Sequence, residues 1–524
     1  MTFHDKLLGY FHLTEAEFLV LSRAISIDDL PDPRHFTQMD KAVSRIRLAL
    51  RNNEKIMIYG DYDCDGVLST SILVKAFAKL GVTVGYYLPS RYIDGYGLNP
   101  VKVAEIAQKG YLLIITVDNG ISAVEAIEKA NQLGIDVIIT DHHEAPTDLP
   151  KPFALLHPVL ANDEPTYSCG AYVAFMLSIA LLGKVDDYLL ALAGIATVSD
   201  MMPLLGVNRD VLRLAIATMN EHRFPQITIL AEGQQIDEKV LGMRLAPKIN
   251  AVGRLVENAN INRLVKYFVS EDAGEINELA AWLTSINEDR KALMKGAVDS
   301  HAGDINNAPA IVLLTEDKEG LIGLVANRLL MQFHKPVVVF TTDSNDAALL
   351  KGSARSQEGF NIAKAFNSLE SFMVKSGGHG MAGGLSIRRV DFLNFKQAFE
   401  DLASTYPIET KIDETLDIEM PEINWDNFQI LRAFAPFGQQ YPAPKFVVRN
   451  IDTKPFSFIS SGRHLSTPLG NNIKLLGFNI GEKEVRLLPK VDLFGEFEIN
   501  DFKHQHFLVY KITSFSPARA LILK

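Results

Sequence analysis

Only two cysteines, Cys64 and Cys169, occur in 524 residues. That scarcity excludes a disulfide framework and any cysteine-based zinc site, and it fits a reducing compartment. No apolar run approaches the length of a membrane-spanning helix. The N-terminal Met1-Thr2-Phe3-His4-Asp5-Lys6 has no basic segment leading into an apolar one. The expected location is therefore the cytoplasm, with no membrane partner. Positive charge is also lacking: the formal net charge is −11, which disfavours a generic nucleic-acid binder. There is no Gly-x-x-x-x-Gly-Lys-Ser/Thr loop to cradle ATP and no nucleophilic Ser or Cys elbow. Internal repeats and low-complexity tracts are absent.

What is present is a globular composition, 47% hydrophobic and 22% charged, in a chain too long for a single core. Charge is unevenly spread. Residues 427–524 carry 13 Lys/Arg and 7 Asp/Glu, a balance of +6 that leaves −17 for the rest.

Residues 1–50 read as a peripheral helical segment, with Met39, Ala42, Val43, Ile46 and Leu50 close to a helical stripe. A βα pattern follows. Strands are expected at Lys55–Tyr59, Val82–Leu88, Leu112–Val117 and Asp136–Thr140, and helices at Val67–Leu80, Pro100–Lys109 and Ile121–Leu133. This alternation implies an α/β fold with a parallel, doubly wound sheet over 51–269. A long linking helix spans 270–303, with Ser270 as its expected N-cap. A second, smaller α/β domain covers 304–405. Short β-like runs (Lys445–Arg449, Asn472–Phe478, His506–Ile512) predict an OB-like β-barrel over 415–524.

Ligands of doubly wound sheets sit beyond the carboxyl ends of the strands, where the polar clusters of this chain fall. Asp61, Asp63 and Asp65 follow the first strand at alternating positions. One aspartate there is usually a helix cap, but three crowded carboxylates repel one another unless a cation sits among them. Asp118-Asn119-Gly120 is on its own a turn sequence; its place on the same rim makes Asp118 a candidate bridging carboxylate. Asp141-His142-His143-Glu144 adds imidazoles, which suit Mn²⁺ better than Mg²⁺. Asp200 follows the apolar helix Tyr188–Val198. Away from this rim, Ser376–Gly384 holds five glycines around His379. Gly352-Ser353-Ala354-Arg355-Ser356 sets hydroxyls beside a guanidinium. Both are candidate phosphate-binding loops. Together these features point to phosphate-ester hydrolysis at two cations about 4 Å apart.

The ordered set Asp61-Tyr62-Asp63-Cys64-Asp65-Gly66, Asp118-Asn119-Gly120, Asp141-His142-His143 and Ser199-Asp200 resembles the DHH phosphoesterase superfamily. Three further features resemble, more narrowly, the RecJ family of single-strand-specific exonucleases: Arg91 with Gly95-Tyr96-Gly97, the stretch Leu245-Ala246-Pro247-Lys248-Ile249-Asn250-Ala251-Val252-Gly253-Arg254, and the loop around His379. The order of a DHH domain, linking helix, DHHA1 domain and OB-like domain agrees. The resemblance implies a metal-dependent 5′→3′ exonuclease that releases 5′-mononucleotides from single-stranded DNA in repair and recombination, with two Mn²⁺ or Mg²⁺ ions. It also brings a single-strand-binding protein and a helicase into view as partners.

By position, Asp63 and Asp65 resemble ligands of the first and second metal, and Asp118 the bridging carboxylate. His142 and Asp200 resemble further second-metal ligands, and His143 a residue near the scissile phosphate. Arg91, Arg254, Ser353, Arg355 and His379 resemble phosphate contacts. Tyr59 stands where many relatives have histidine. Tyrosine is a poor Mn²⁺ ligand, so either Asp61 completes the first site or that site binds weakly. Lys248 stands where relatives often have arginine, keeping the charge without the bidentate fork.

Two other functions fit the motifs less well. A DHH phosphodiesterase of short oligonucleotides or cyclic dinucleotides is generally shorter and lacks the OB-like domain. A non-catalytic replication scaffold loses the acidic motifs, and here they are intact.

Overall fold

The computed structural model of the chain describes all residues except 92–93, 95–96, 161–166, 256–260, 302–307, 358, 379, 407–413, 503–504 and 519–524. The chain divides into two units, Met1–Ile25 with Ile412–Lys524, and Ser26–Lys411. The sequence treats 1–50 as one segment, and the structure corrects this. Phe3, Leu7 and Phe18 are buried in one core with Phe434, Phe446, Phe497 and Tyr510 of the C-terminal unit. Helix Met39–Arg51 instead buries Met39, Ala42, Val43, Ile46 and Ala49 within the larger unit. Apolar residues of the first 25 positions thus belong to a core whose other residues lie about four hundred positions later.

The larger unit opens with a five-stranded parallel sheet: β1 (Lys55–Tyr59), β2 (Gly85–Tyr87), β3 (Tyr111–Val117), β4 (Asp136–Thr140) and β5 (Ala154–Leu156), in the order β2-β1-β3-β4-β5. The central strands are buried along nearly their whole length, as a sheet covered on both faces requires. Their register (Tyr59 beside Thr116, Val117 beside Thr140) sets three strand ends next to each other. The helix after β1 runs Cys64–Lys79 and starts three residues before the expected position. Helices Gly170–Leu182 and Asp187–Ser199 are buried almost throughout. The long helix is Ala273–His301. Asp272 rather than Ser270 accepts from the first-turn N–H of Glu275, at 2.7 Å, because the helix begins at Ala273, which moves the cap two residues beyond the expected one.

A second sheet follows: β6 (Ile311–Leu314), β7 (Val337–Thr342), β8 (Leu349–Arg355), β9 (Met373–Gly378) and β10 (Ala382–Arg388), ordered β6-β7-β8-β10-β9. Both stretches expected to be phosphate loops lie largely in this sheet. Gly352–Arg355 belong to β8, and the glycine-rich stretch forms β9 and β10, with Gly384 paired to both Gly377 and Ser353. Helix Glu319–Phe333 packs beside β7 and β8.

The other unit holds a seven-stranded sheet of β11 (Thr415–Ile418), β12 (Lys445–Asp452), β13 (Phe458–Ile459), β14 (His464–Gly470), β15 (Ile473–Gly477), β16 (Lys490–Phe502) and β17 (Gln505–Pro517), ordered β11-β12-β16-β17-β15-β14-β13. Side chains of β12, β14, β15, β16 and β17 share one core. Among the described residues no helix is long and apolar enough to cross a membrane.

Candidate active site

The strand ends β1, β3 and β4 carry the acidic cluster. Asp63 is the N-cap of helix Cys64–Lys79, its Oδ1 accepting from Gly66 N at 3.1 Å. Asp65 therefore lies in the first helical turn rather than in an extended loop as the alternating spacing suggests. It turns towards a second helix N-terminus, where its two oxygens accept from Gly170 N at 2.6 Å and Ala171 N at 2.8 Å. Two backbone donors at a helix start hold a carboxylate in fixed orientation. Asp118 is buried and left-handed, with φ +59°, a conformation that aspartate tolerates better than most residues. Its N–H, bonded to Thr140 O at 2.9 Å, anchors it to β4.

Asp141 organises the histidines. Its Oδ2 accepts from Ile121 N at 2.8 Å. Its Oδ1 accepts from His142 N at 2.7 Å and lies 2.8 Å from His143 Nδ1. His142 Nε2 then lies 3.1 Å from Asp118, 3.5 Å from Asp200 and 3.6 Å from Asp65. Asp200 is the C-cap of helix Asp187–Ser199.

The ligand atoms gather in overlapping sets: Asp61, Asp63 and Asp118; Asp65, His142 and Asp200; and Asp118, His142 and His143. All six residues expected as metal ligands are thus brought together, with His143 beside them. Tyr59 is not among them. Its hydroxyl donates to Gly97 O at 3.2 Å in the buried interior, while Asp61 takes part in the set that Tyr59 leaves short. A divalent cation fits this donor set. Asp61 Oδ1 is buried with no hydrogen-bond partner among the described residues, an arrangement that is costly unless an ion supplies the missing contact.

Electrostatics say the same. Burial, with Asp63 nearby, pushes Asp61 up to about 8. Burial and Asp63 raise Asp65 to about 6 against its two backbone donors. Burial, Asp65 and Asp63 raise Asp200 to about 8, and Asp118 rises well above the carboxylate range for the same reasons. Burial and the neighbouring His143 lower His142 to about 3, leaving it neutral, the form that ligates metals. Burial opposes charge on His143 too, but Asp141, Asp200 and Asp65 outweigh it and raise it to about 9.

A carboxyl raised on folding binds its proton more tightly in the folded chain. Its stabilising contribution is complete below about pH 4 and is lost as pH rises through the folded value. His143 acts in the same sense up to about 9. His142 acts oppositely, but it is one group against several. We therefore expect the melting temperature of the metal-stripped protein to fall as pH rises from about 5 to about 8. Added Mn²⁺ should remove most of that slope. Thermal melts across pH with and without the ion check this.

The phosphate-binding candidates line a cavity of about 510 Å³ that includes Arg91, Arg254, Lys351, Ser353, Arg355 and Lys375. Lys351, Ser353 and Arg355 alternate along β8 and so share a face. Arg91 stacks on the Tyr62 ring at 4.5 Å, and its Nε is buried without a partner among the described residues. Arg254 is lowered to about 10 by burial and by facing Arg91, Arg290 and Arg355. So many guanidinium groups at one place call for an anion. Lys248 stands apart from this cavity, donating to Leu230 O at 2.7 Å and Glu232 Oε1 at 2.8 Å. His379, Gly95 and Tyr96 lie outside the described residues.

Sequence reasoning missed the anchoring roles of Asp141, Gly170, Ala171 and His157, whose Nε2 lies 2.8 Å from His143 O. Only Asp141 carried a signal, its place in the Asp-His-His run.

Three family models match the chain: DHH family, N-terminal domain over residues 55–197; DHHA1 domain over 307–405; and RecJ OB domain over 412–514. The single-stranded-DNA-specific exonuclease RecJ of Bacillus subtilis (strain 168) is 32% identical, over 91% of this chain and 63% of that protein. The chain thus spans less than two thirds of the Bacillus relative. RecJ of Escherichia coli (strain K12) is 31% identical, over 91% of this chain and 90% of that protein. Among solved structures, RecJ in complex with Mn²⁺ from Thermus thermophilus matches with a TM-score of 0.83 at 27% identity, covering 99% of this chain and 76% of that one.

Proposed function

Because this chain belongs to the RecJ family of single-stranded-DNA-specific exonucleases, we propose that it hydrolyses single-stranded DNA from the 5′ end and releases 5′-mononucleotides. The observation that carries the reading is the pairing of two ligand sets on one rim with an arginine-lined cavity in the same unit. Asp61, Asp63 and Asp118 would hold one cation and Asp65, His142 and Asp200 the other, with Asp118, 3.1 Å from His142, lying between the two sets. The imidazole in the set favours Mn²⁺ over Mg²⁺, although Thermus RecJ has been solved with each. When bound, two such ions supply a water acidic enough to attack phosphorus and charge to stabilise the departing oxygen.

The remaining work falls to the chain. Asp65 is held by two N–H groups and the Asp-His-His run by Asp141, so the ligand geometry is set before substrate arrives. His143, held protonated by Asp141, is placed to donate to a non-bridging phosphate oxygen. Arg91, Arg254 and Arg355, with Ser353, bind the phosphates of the strand. His379 is assigned to the same role from the family motif. A cavity of about 510 Å³ lies in the range that encloses small ligands, which suits one strand end and not a duplex. Residues 427–524, where the balance is +6, supply a further surface for the strand. The protein acts in the cytoplasm in repair and recombination. A helicase that opens duplex and a protein that covers single strands are the partners such an enzyme needs, since they make and hold its substrate.

Digestion of 5′- and 3′-end-labelled single strands and of blunt duplex with Mn²⁺ tests this. The 5′ label is expected to appear at once as mononucleotide, with duplex resistant. Equal attack on duplex, or mononucleotide released first from the 3′ end, contradicts it. Dinucleotides turned over much faster than a long strand would favour a small-substrate phosphodiesterase.

A further inference from the structure

One polar side chain outside the ligand loops ties two of them together. Asn250 lies on helix Ala246–Leu255. Its Oδ1 accepts from Cys64 N at 2.9 Å, between Asp63 and Asp65. Its Nδ2 donates to Ser199 Oγ at 3.3 Å, one residue before Asp200. A single amide thus spans from the Asp63–Asp65 turn to the end of the helix that carries Asp200.

The bond to Cys64 has a second consequence. First-turn N–H groups of a helix have no partner within the helix. Asp63 Oδ1 already accepts from Gly66 N. With Asn250 satisfying Cys64 N, that donor makes no demand on Asp63, whose second oxygen stays available to a cation. The helix is seated closely enough to do this because residue 253 is glycine: a Cβ there would lie 2.5 Å from Tyr62 O. Backbone oxygen cannot give way as a flexible side-chain tip can.

We propose that Asn250 is a positioning residue for the metal centre. It sets the spacing between the Asp63–Asp65 turn and Asp200, and so the spacing between the two cation sites. This rests on the two-cation reading above. Groups bonded directly to a metal ligand typically change affinity by about 10- to 100-fold when lost; Asn250 holds Cys64 and Ser199, the chain neighbours of ligands, so its loss falls at the lower end of that range.

The test is calorimetric titration of Mn²⁺ into the metal-free full chain, with melting temperatures measured alongside. Asn250→Ala is expected to weaken Mn²⁺ binding by about 10-fold. Ser199→Ala, which removes the bond from Asn250 Nδ2 together with the one Ser199 shares with the Cys64 thiol, is expected to weaken it by roughly 2- to 5-fold. Asn220→Ala is the control. Asn220 Oδ1 accepts from Ile236 N at 2.9 Å and its Nδ2 donates to Ile236 O at 2.9 Å, helix-to-loop bonds that involve none of the residues assigned to the cations or their chain neighbours. Their loss should lower the melting temperature and leave Mn²⁺ affinity unchanged. Wild-type Mn²⁺ affinity in Asn250→Ala overturns the proposal, whatever its melting temperature. If Asn250→Ala does not fold, wild-type affinity in Ser199→Ala overturns it instead. A parent chain that binds no Mn²⁺ overturns the two-cation reading, which separates the two failures.

Discussion

Asp118→Ala is expected to reduce release of nucleotide from single-stranded DNA by on the order of 10³-fold or more, yet to leave the metal-free protein at least as stable as the parent. Asp118 gathers with Asp61 and Asp63 in one ligand set and lies 3.1 Å from His142 of the set assigned to the second cation, so its loss is expected to reach both cations. It is also buried, and its carboxyl is pushed up by burial first and then by Asp65, Asp63, Asp61 and Asp200. Without metal that crowding is unfavourable, and a neutral methyl in its place relieves it by more than the roughly 1 kcal/mol that alanine costs at this left-handed position. Ordinary destabilising substitutions lower activity and melting temperature together. Here they should move apart, most clearly at pH 8 and above, as the neighbouring Asp61 and Asp200 lose their protons. The variant should also lose the rise in melting temperature that Mn²⁺ gives the parent, about 2.7 kcal/mol of stabilisation at a hundredfold excess over the dissociation constant. Melting curves with and without Mn²⁺, alongside an end-label release assay, check both halves. Retained activity, or a metal-free melting temperature well below the parent's, counts against the bridging role.

Gly170→Ala should be nearly as damaging although it removes no ligand. A Cβ at this position would lie 2.7 Å from Asp118 Cβ and 2.9 Å from Asp118 Cα. Neither atom can move without carrying the end of β3 with it. The same residue donates its N–H to Asp65 at 2.6 Å. One added methyl therefore displaces carboxylates assigned to both cations. Displacements of about 1 Å at reacting centres cost on the order of 10²-fold in rate, and overpacking a buried contact costs about 1–3 kcal/mol. The expected result is a loss of roughly 10²-fold or more in turnover and a lowered melting temperature, with weaker Mn²⁺ binding. Parent-like turnover and Mn²⁺ binding would show that the start of helix Gly170–Leu182 is not part of the metal centre's support.

The clustering of the candidate ligands was legible in the sequence because a parallel α/β sheet places its strand ends on one rim. Asp61 to Asp65, Asp118 and Asp141 to His143 each follow an apolar run, and that pattern alone predicts their meeting. Their division of labour was less legible. The spacing makes Asp61, Asp63 and Asp65 look alike, but the helix begins at Cys64, so Asp65 turns to Gly170 and Ala171, 105 and 106 residues away. Nothing local in either segment announces that pairing. Tyr59 was marked by its departure from the family pattern, and its bond to Gly97 O shows where its hydroxyl goes instead.

The glycine-rich stretch read as a loop because glycine is rare in strand interiors. It forms β9 and β10, in which Gly377 and Gly378 lie opposite Gly384 and Gly383, and these pair on their other side with Ser353 and Ala354 of β8. The burial of residues 1–25 with the C-terminal strands could not be read at all, since amphipathic helices do not name the core they cover.

The most direct measurement is a crystal soaked with Mn²⁺ and a short 5′-phosphorylated single strand, with anomalous scattering recorded at the manganese edge. Two peaks are predicted, one among Asp61, Asp63 and Asp118 and one among Asp65, His142 and Asp200, with the terminal phosphate against Arg254, Ser353 and Arg355. A single peak, peaks away from these residues, or a strand bound with its 3′ end at the metal centre would contradict the account.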